Sequence, residues 1–129
     1  MIIAGIGCKT DCATETIMTL IQRAARLAQR PPDLLALPAF KADEPGPRNA
    51  AARLGLQLVL VDRQGLTAAQ PRCLTRSARA LSAVGLASVA EAAALAAAGA
   101  DGRLILPRIS EGGATCALAD SSPQARRPA

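Results

Sequence analysis

The sequence predicts an α/β fold: a three-layer α/β/α sandwich on a mainly parallel, mixed sheet. Two observations carry that expectation. Short apolar runs alternate with segments of helical periodicity along most of the chain. The last such segments read as two strands around a polar, glycine-containing turn, which adds an antiparallel pair to parallel strands.

The elements follow in order. Residues 1–5 are a short apolar run ending at Gly5 and form the first strand. Ala13, Ile17, Leu20, Ile21, Ala24, Leu27 and Ala28 recur at helical spacing, so a helix is expected over 12–29. Thr10 or Asp11 is its expected N-cap, and Arg30-Pro31-Pro32 stops it. Residues 34–40 are the second strand. The polar stretch KADEPGP at 41–47 is a loop before a short helix at 48–54, which Gly55 closes. Residues 57–61, rich in Leu and Val, are the third strand. Helical turns are expected within 62–70 and 77–83. Ser88-Val89-Ala90-Glu91 is a capping box opening an Ala-rich helix that ends at Gly99. A strand at 103–106, a turn at 109–113 and a returning strand at 114–119 complete the domain. The tail at 120–129, made largely of Ser, Pro, Ala and Arg, has a disordered composition, so one domain is expected over 1–119.

The composition narrows the function. The apolar residues are Ala, Leu, Ile and Val, and Phe40 is the only aromatic. The net charge of +5, mostly from Arg, favours anionic partners. Single-stranded nucleic acid needs aromatic stacking platforms, which are missing, and the basic residues do not cluster apart from Arg126 and Arg127. Nucleic acid is therefore not expected, and a small polycarboxylate or phosphate is. The chain has no histidine, which rules out a Cys–His or Ser–His pair within one chain and any His-ligated zinc or macrocycle metal. Cys8, Cys12, Cys73 and Cys116 contain no CxxC and read as free thiols. No metal and no cofactor are expected. The N-terminus lacks a basic leader, and the Ala-rich stretch is too short and too interrupted by Glu91 to span a membrane. A cytoplasmic protein without membrane partners is the expectation.

The run Gly5-Ile6-Gly7-Cys8-Lys9-Thr10 fails as a dinucleotide fingerprint, because Thr10 stands where the third glycine belongs. It fails as a phosphate loop, because Cys8 separates Gly7 from Lys9. Two readings remain: a glycine turn that offers N–H groups, a helix start and Lys9 to an anion, or a tight turn without a ligand. Cys8 reads as a small, partly buried residue rather than an acidified thiolate, since no histidine is present to activate it. Lys41, Asp43 and Glu44 offer either a cation and two carboxylates at the sheet edge or a solvated loop capping the next helix. Arg108, in the polar segment 107–115, is a candidate carboxylate clamp.

GIGCK at 5–9, KADEPG at 41–46, ARLGLQL at 52–58 and TRS at 75–77 occur in that order. They are followed by VGLASVAEAAAL at 84–95, LILP at 104–107 and ATCALA at 114–119. Together they resemble the family of CobE and the C-terminal domain of CbiG, from cobalamin (vitamin B12) biosynthesis, over about residues 1–119. The sequence departs from the family pattern at Arg76, where a proline is usual, and at Arg108, where a lysine is. The resemblance implies a three-layer α/β domain that helps build the corrin ring. CbiG-like proteins open the δ-lactone of cobalt-precorrin-5A in the anaerobic route, releasing acetaldehyde, and carry a further N-terminal domain. A stand-alone chain is more similar to CobE of the aerobic route.

The leading expectation is a protein that binds a precorrin or corrinoid intermediate. Its ligand site would comprise the backbone donors of Gly5, Gly7, Cys8 and Lys9, together with Lys41, Arg108 and Thr115. One alternative is a lactone-opening hydrolase, with Glu44 as general base and Lys41 as electrostatic stabiliser. Another is a scaffold that docks a pathway enzyme through the Ala-rich helix.

Overall fold

The computed structural model describes residues 1–75 and 88–121 of the chain. The helix expected at 77–83 and residues 122–129 of the expected tail lie outside the described residues.

Five strands form one sheet in the order β3-β2-β1-β5-β4. They are β1 (Ile2–Cys8), β2 (Leu34–Pro38), β3 (Gln57–Val61), β4 (Arg103–Glu111) and β5 (Ala114–Asp120). β1, β2 and β3 run parallel, whereas β5 pairs antiparallel with both β1 and β4. The sheet is mixed as expected, with its parallel and antiparallel halves meeting at β1. The helices are α1 (Thr14–Ala28), α2 (Pro45–Leu54), α3 (Arg63–Ala69) and α4 (Val89–Ala98). α1 and α2 cover one face, and α3 and α4 cover the other.

β1 is buried from Ile2 to Gly7, which explains its nearly continuous apolar sequence. Its side chains alternate. Ile2, Ala4 and Ile6 enter the core under α1 and α2, while Ile3 enters the core under α3 and α4. Gly5 and Gly7 share the Ile3 face. A Cβ on Gly5 would collide with the backbone of α4 at Ala90 and Ala94, so that glycine lets helix and strand backbones touch. A Cβ on Gly7 would stand 2.7 Å from the Thr115 hydroxyl. Much of the opposing core is alanine from α4, which buries Ala90, Glu91, Ala92, Ala93, Ala94 and Leu95. Six consecutive buried residues leave only Val89, Ala96, Ala97 and Ala98 of this helix partly exposed, a small surface for the expected docking role.

Several boundaries move for tertiary reasons. α1 begins at Thr14 with Ala13 as its N-cap and no side-chain cap, not at Thr10 or Asp11. Asp11 instead takes a left-handed conformation, φ 61°. β2 stops at Pro38, and Ala39–Lys41 form a 3-10 turn that swings Phe40 out of the strand. α2 begins at Pro45, three residues before the expected start, because proline suits the first helical position. β4 extends to Glu111, and the turn shrinks to Gly112 and Gly113, both at positive φ. Pro107 fits this edge strand because the register slips between Leu106 and Ile109. Asp120, placed in the tail by composition, closes β5 and lies 3.7 Å from the Met1 amine and 3.6 Å from Arg30 Nη2.

Candidate functional site

A cleft of about 560 Å³ opens where the parallel and antiparallel halves of the sheet meet. That is the junction at which mixed α/β sheets commonly hold ligands, and the volume suits a small molecule. Gly7 and Cys8 at the end of β1, with Lys9 and Thr10, form its floor. Pro38, Phe40 and Lys41 form one side, and Ser88 and Val89 at the start of α4 another. Arg108 and the β4–β5 turn close it. Lys9, Lys41 and Arg108 thus converge from three elements. The acidic lining residue, Glu111, is paired with Arg23 Nη1 at 3.0 Å. The cleft therefore favours an anion.

Each cation is set locally. The Lys9 N–H donates to Gly113 O at 2.9 Å, and the aliphatic part of Lys9 lies over Gly113, where a Cβ would clash with it. Lys41 Nζ lies 3.5 Å from Thr10 Oγ1. Arg108 Nε is buried and has no hydrogen-bond partner, the one such side-chain atom among the described residues. A buried donor without an acceptor is costly, and an anion that draws the Arg108 guanidinium into the cleft would relieve it.

Glu91 explains how Arg108 is held. It is fully buried on α4. Its Oε1 accepts the N–H groups of Leu74 at 2.8 Å and Thr75 at 2.9 Å. Its Oε2 accepts the Thr75 hydroxyl and the Arg108 N–H, both at 2.9 Å. Four donors compensate for burying the carboxylate. Only half of the expected capping box forms: Ser88 Oγ accepts the Glu91 N–H at 3.4 Å, while the Glu91 side chain leaves the helix to tie the segment at Leu74 and Thr75 to strand β4. The capping pattern gave Glu91 a sufficient local role and so concealed this one.

The structure separates the other expected site residues. Gly7, Cys8, Lys9, Lys41, Arg108 and Thr115 all line the cleft. Gly5 does not, because it packs against α4. The expected cradle of backbone donors is partly committed elsewhere: β1 is paired with β5 as far as Cys8 but with β2 only as far as Gly5, and the Lys9 N–H is bonded to Gly113. With α1 starting only at Thr14, side chains supply most of the positive field instead. The Thr115 hydroxyl donates to Gly7 O at 3.3 Å. Glu44 lies outside the cleft lining, and its Oε1 accepts the Asp11 N–H at 2.8 Å, which fixes the loop after β1.

Burial pushes the Cys8 thiol up to about 11, with Lys41 opposing that rise and Cys12 and Glu44 adding to it. Burial also raises Cys12 and takes Cys116 to about 12. A thiol so protonated at neutral pH is a poor nucleophile. Among the described residues, no group of three Cys, Asp or Glu side chains converges as a metal site, and no helix is long and apolar enough to cross a membrane.

Similarity to known proteins fits this architecture. Residues 2–119 match the family described as cobalamin synthesis G C-terminus. Protein CobE from Sinorhizobium sp is 32% identical over 121 residues, covering 92% of this chain and 79% of that protein. A crystal structure of CobE, a protein from the cobalamin (vitamin B12) biosynthetic pathway, superposes with a TM-score of 0.86 at 38% identity, covering 92% of this chain and 89% of that one. The cobalamin biosynthesis protein chiG from Agrobacterium tumefaciens str. C58 superposes with a TM-score of 0.78 at 41% identity, covering 95% of this chain and 99% of that one. The chain belongs to the cobalamin synthesis G C-terminal family.

Proposed function

We propose that the protein binds a precorrin-type tetrapyrrole intermediate of cobalamin biosynthesis in the cleft at the end of β1. The convergence of Lys9, Lys41 and Arg108 on one cleft, with Arg108 Nε lacking an acceptor, carries the reading. Intermediates of this kind bear several acetate and propionate carboxylates, which meet separated cations better than a single phosphate does. Family membership supplies the pathway, and the cleft supplies the chemistry of recognition. Glu44 is committed to Asp11 and lies off the cleft lining, so the reading assigns it to holding the loop rather than to proton transfer.

Titrating the protein with precorrin intermediates while following absorbance tests this. A saturable, reversible spectral shift is expected, weakened about tenfold by Lys41→Ala or Arg108→Ala. An unchanged spectrum overturns the reading. A permanent new chromophore with released acetaldehyde assigns a lactone-opening hydrolase instead.

A further inference from the structure

Phe40 is the sole aromatic of the chain, and it is not in the core. The core consists of Ile, Leu, Val, Ala and Cys, closely packed without any ring. Phe40 is 47% exposed and lines the cleft. Among the described residues, the other large apolar side chains with comparable exposure, Met1, Leu27, Leu60 and Leu74, do not line it. Its position is built: β2 ends at Pro38, and the Ala39–Lys41 turn sets Phe40 beside the cleft, directly before Lys41. A single exposed apolar residue is ordinary on a protein surface; what marks Phe40 is its place in the lining of the cleft, beside the cations. The adjacent residues Phe40 and Lys41 thus present an apolar plane and a cation together, with Lys9 and Arg108 completing the charged rim.

We propose that Phe40 contacts the face of the ligand's macrocycle, so that the cleft selects a large apolar ring with carboxylates on its edge over a charged ligand without a ring. This deepens the tetrapyrrole reading and rests on it. The rim charges recognise the carboxylates, and Phe40 recognises the ring. A phenyl group has few rotatable bonds, so ordering it against a flat partner costs little entropy.

Two probes separate these contributions: uroporphyrin, a stable ring bearing carboxylates, and butane-1,2,3,4-tetracarboxylate, an acyclic polyanion. Binding of both to wild type, Phe40→Ala and Phe40→Tyr is measured by calorimetry. Phe40→Ala should weaken uroporphyrin about tenfold, Phe40→Tyr should restore it, and the acyclic polyanion should bind all three proteins equally. Equal weakening of both probes by Phe40→Ala, or of neither, overturns the proposal, because Phe40 would then only shape the loop or play no part. Wild-type binding of the acyclic polyanion without uroporphyrin also overturns it and leaves an anion site standing. Binding of neither probe removes the tetrapyrrole reading and this inference together. A change of oligomeric state in Phe40→Ala, seen by sedimentation, assigns the ring to a second copy of the chain and overturns the proposal.

Discussion

The Glu91 carboxylate accepts the backbone N–H of Arg108 at 2.9 Å, so a helix residue fixes the strand segment that brings Arg108 to the cleft. The same carboxylate holds Leu74 and Thr75. Glu91→Gln keeps the size but replaces one acceptor with an NH₂ group facing existing donors. It should destabilise the fold by about 2–3 kcal/mol, read as a lower urea midpoint at unchanged slope. It should also weaken ligand binding in parallel with Arg108→Ala. An unchanged midpoint would mean that these hydrogen bonds contribute nothing net.

The two glycines of the opening motif should respond differently to alanine. At Gly5 the obstacle is α4 backbone, which cannot yield without moving the helix. Gly5→Ala should cost about 3 kcal/mol, visible as a marked fall in thermal midpoint. At Gly7 the obstacle is the Thr115 hydroxyl, so Gly7→Ala should be milder, and adding Thr115→Ala should recover part of the loss. Equal losses at both positions would contradict the assignment of Gly5 to helix packing.

Cysteine chemistry gives a pH test. With Cys8 raised from 9.0 to about 11, its thiolate fraction at pH 8 is roughly a hundredfold below that of an unperturbed thiol. Iodoacetamide should label Cys8 slower by about that factor at pH 8. The same shift has a sign for stability. The folded state favours the neutral thiol, so this contribution is fully present below pH 9 and is lost as pH rises toward 11. Cys8→Ala should flatten that alkaline loss of thermal midpoint. Rapid labelling at pH 7 would instead point to an activated thiolate.

Glu44 separates binding from catalysis. Glu44→Gln keeps an oxygen to accept the Asp11 N–H, so tetrapyrrole affinity should stay within about twofold of wild type. A general base would lose its activity in the same variant. Asp11→Val should be costly by roughly 1–3 kcal/mol, because a β-branched residue resists the left-handed conformation that Asp11 holds.

Much of the fold was legible. The third strand at 57–61, the Ser88-capped helix and the closing hairpin follow from apolar pattern, capping chemistry and turn residues. Lys9 and Lys41 follow β1 and β2 and line the cleft as loop residues would, but Arg108 reaches it from within β4 rather than from a loop. What escaped was set by distant partners. Asp11 looks like a helix cap, but Glu44, 33 residues away, takes its N–H, and the helix starts later. Glu91 looks like half of a capping box, and its side chain serves Thr75 and Arg108 instead. Gly5 looks like part of a ligand turn, and its missing side chain serves α4. In each case a local pattern offered an adequate explanation, and a contact distant in sequence replaced it.

The pairing of β1 with β5 sets an order of events during synthesis. Ile2–Cys8 must wait for Ala114–Asp120 before its second edge is covered. At typical elongation rates the intervening chain of roughly a hundred residues takes about 5–20 s to appear. For that time the apolar first strand lacks its final neighbour, and Lys9 and Lys41 have no Arg108 to face. The cleft is therefore among the last features to form on the ribosome, and a chain truncated before β5 should be captured by chaperones rather than bind ligand weakly.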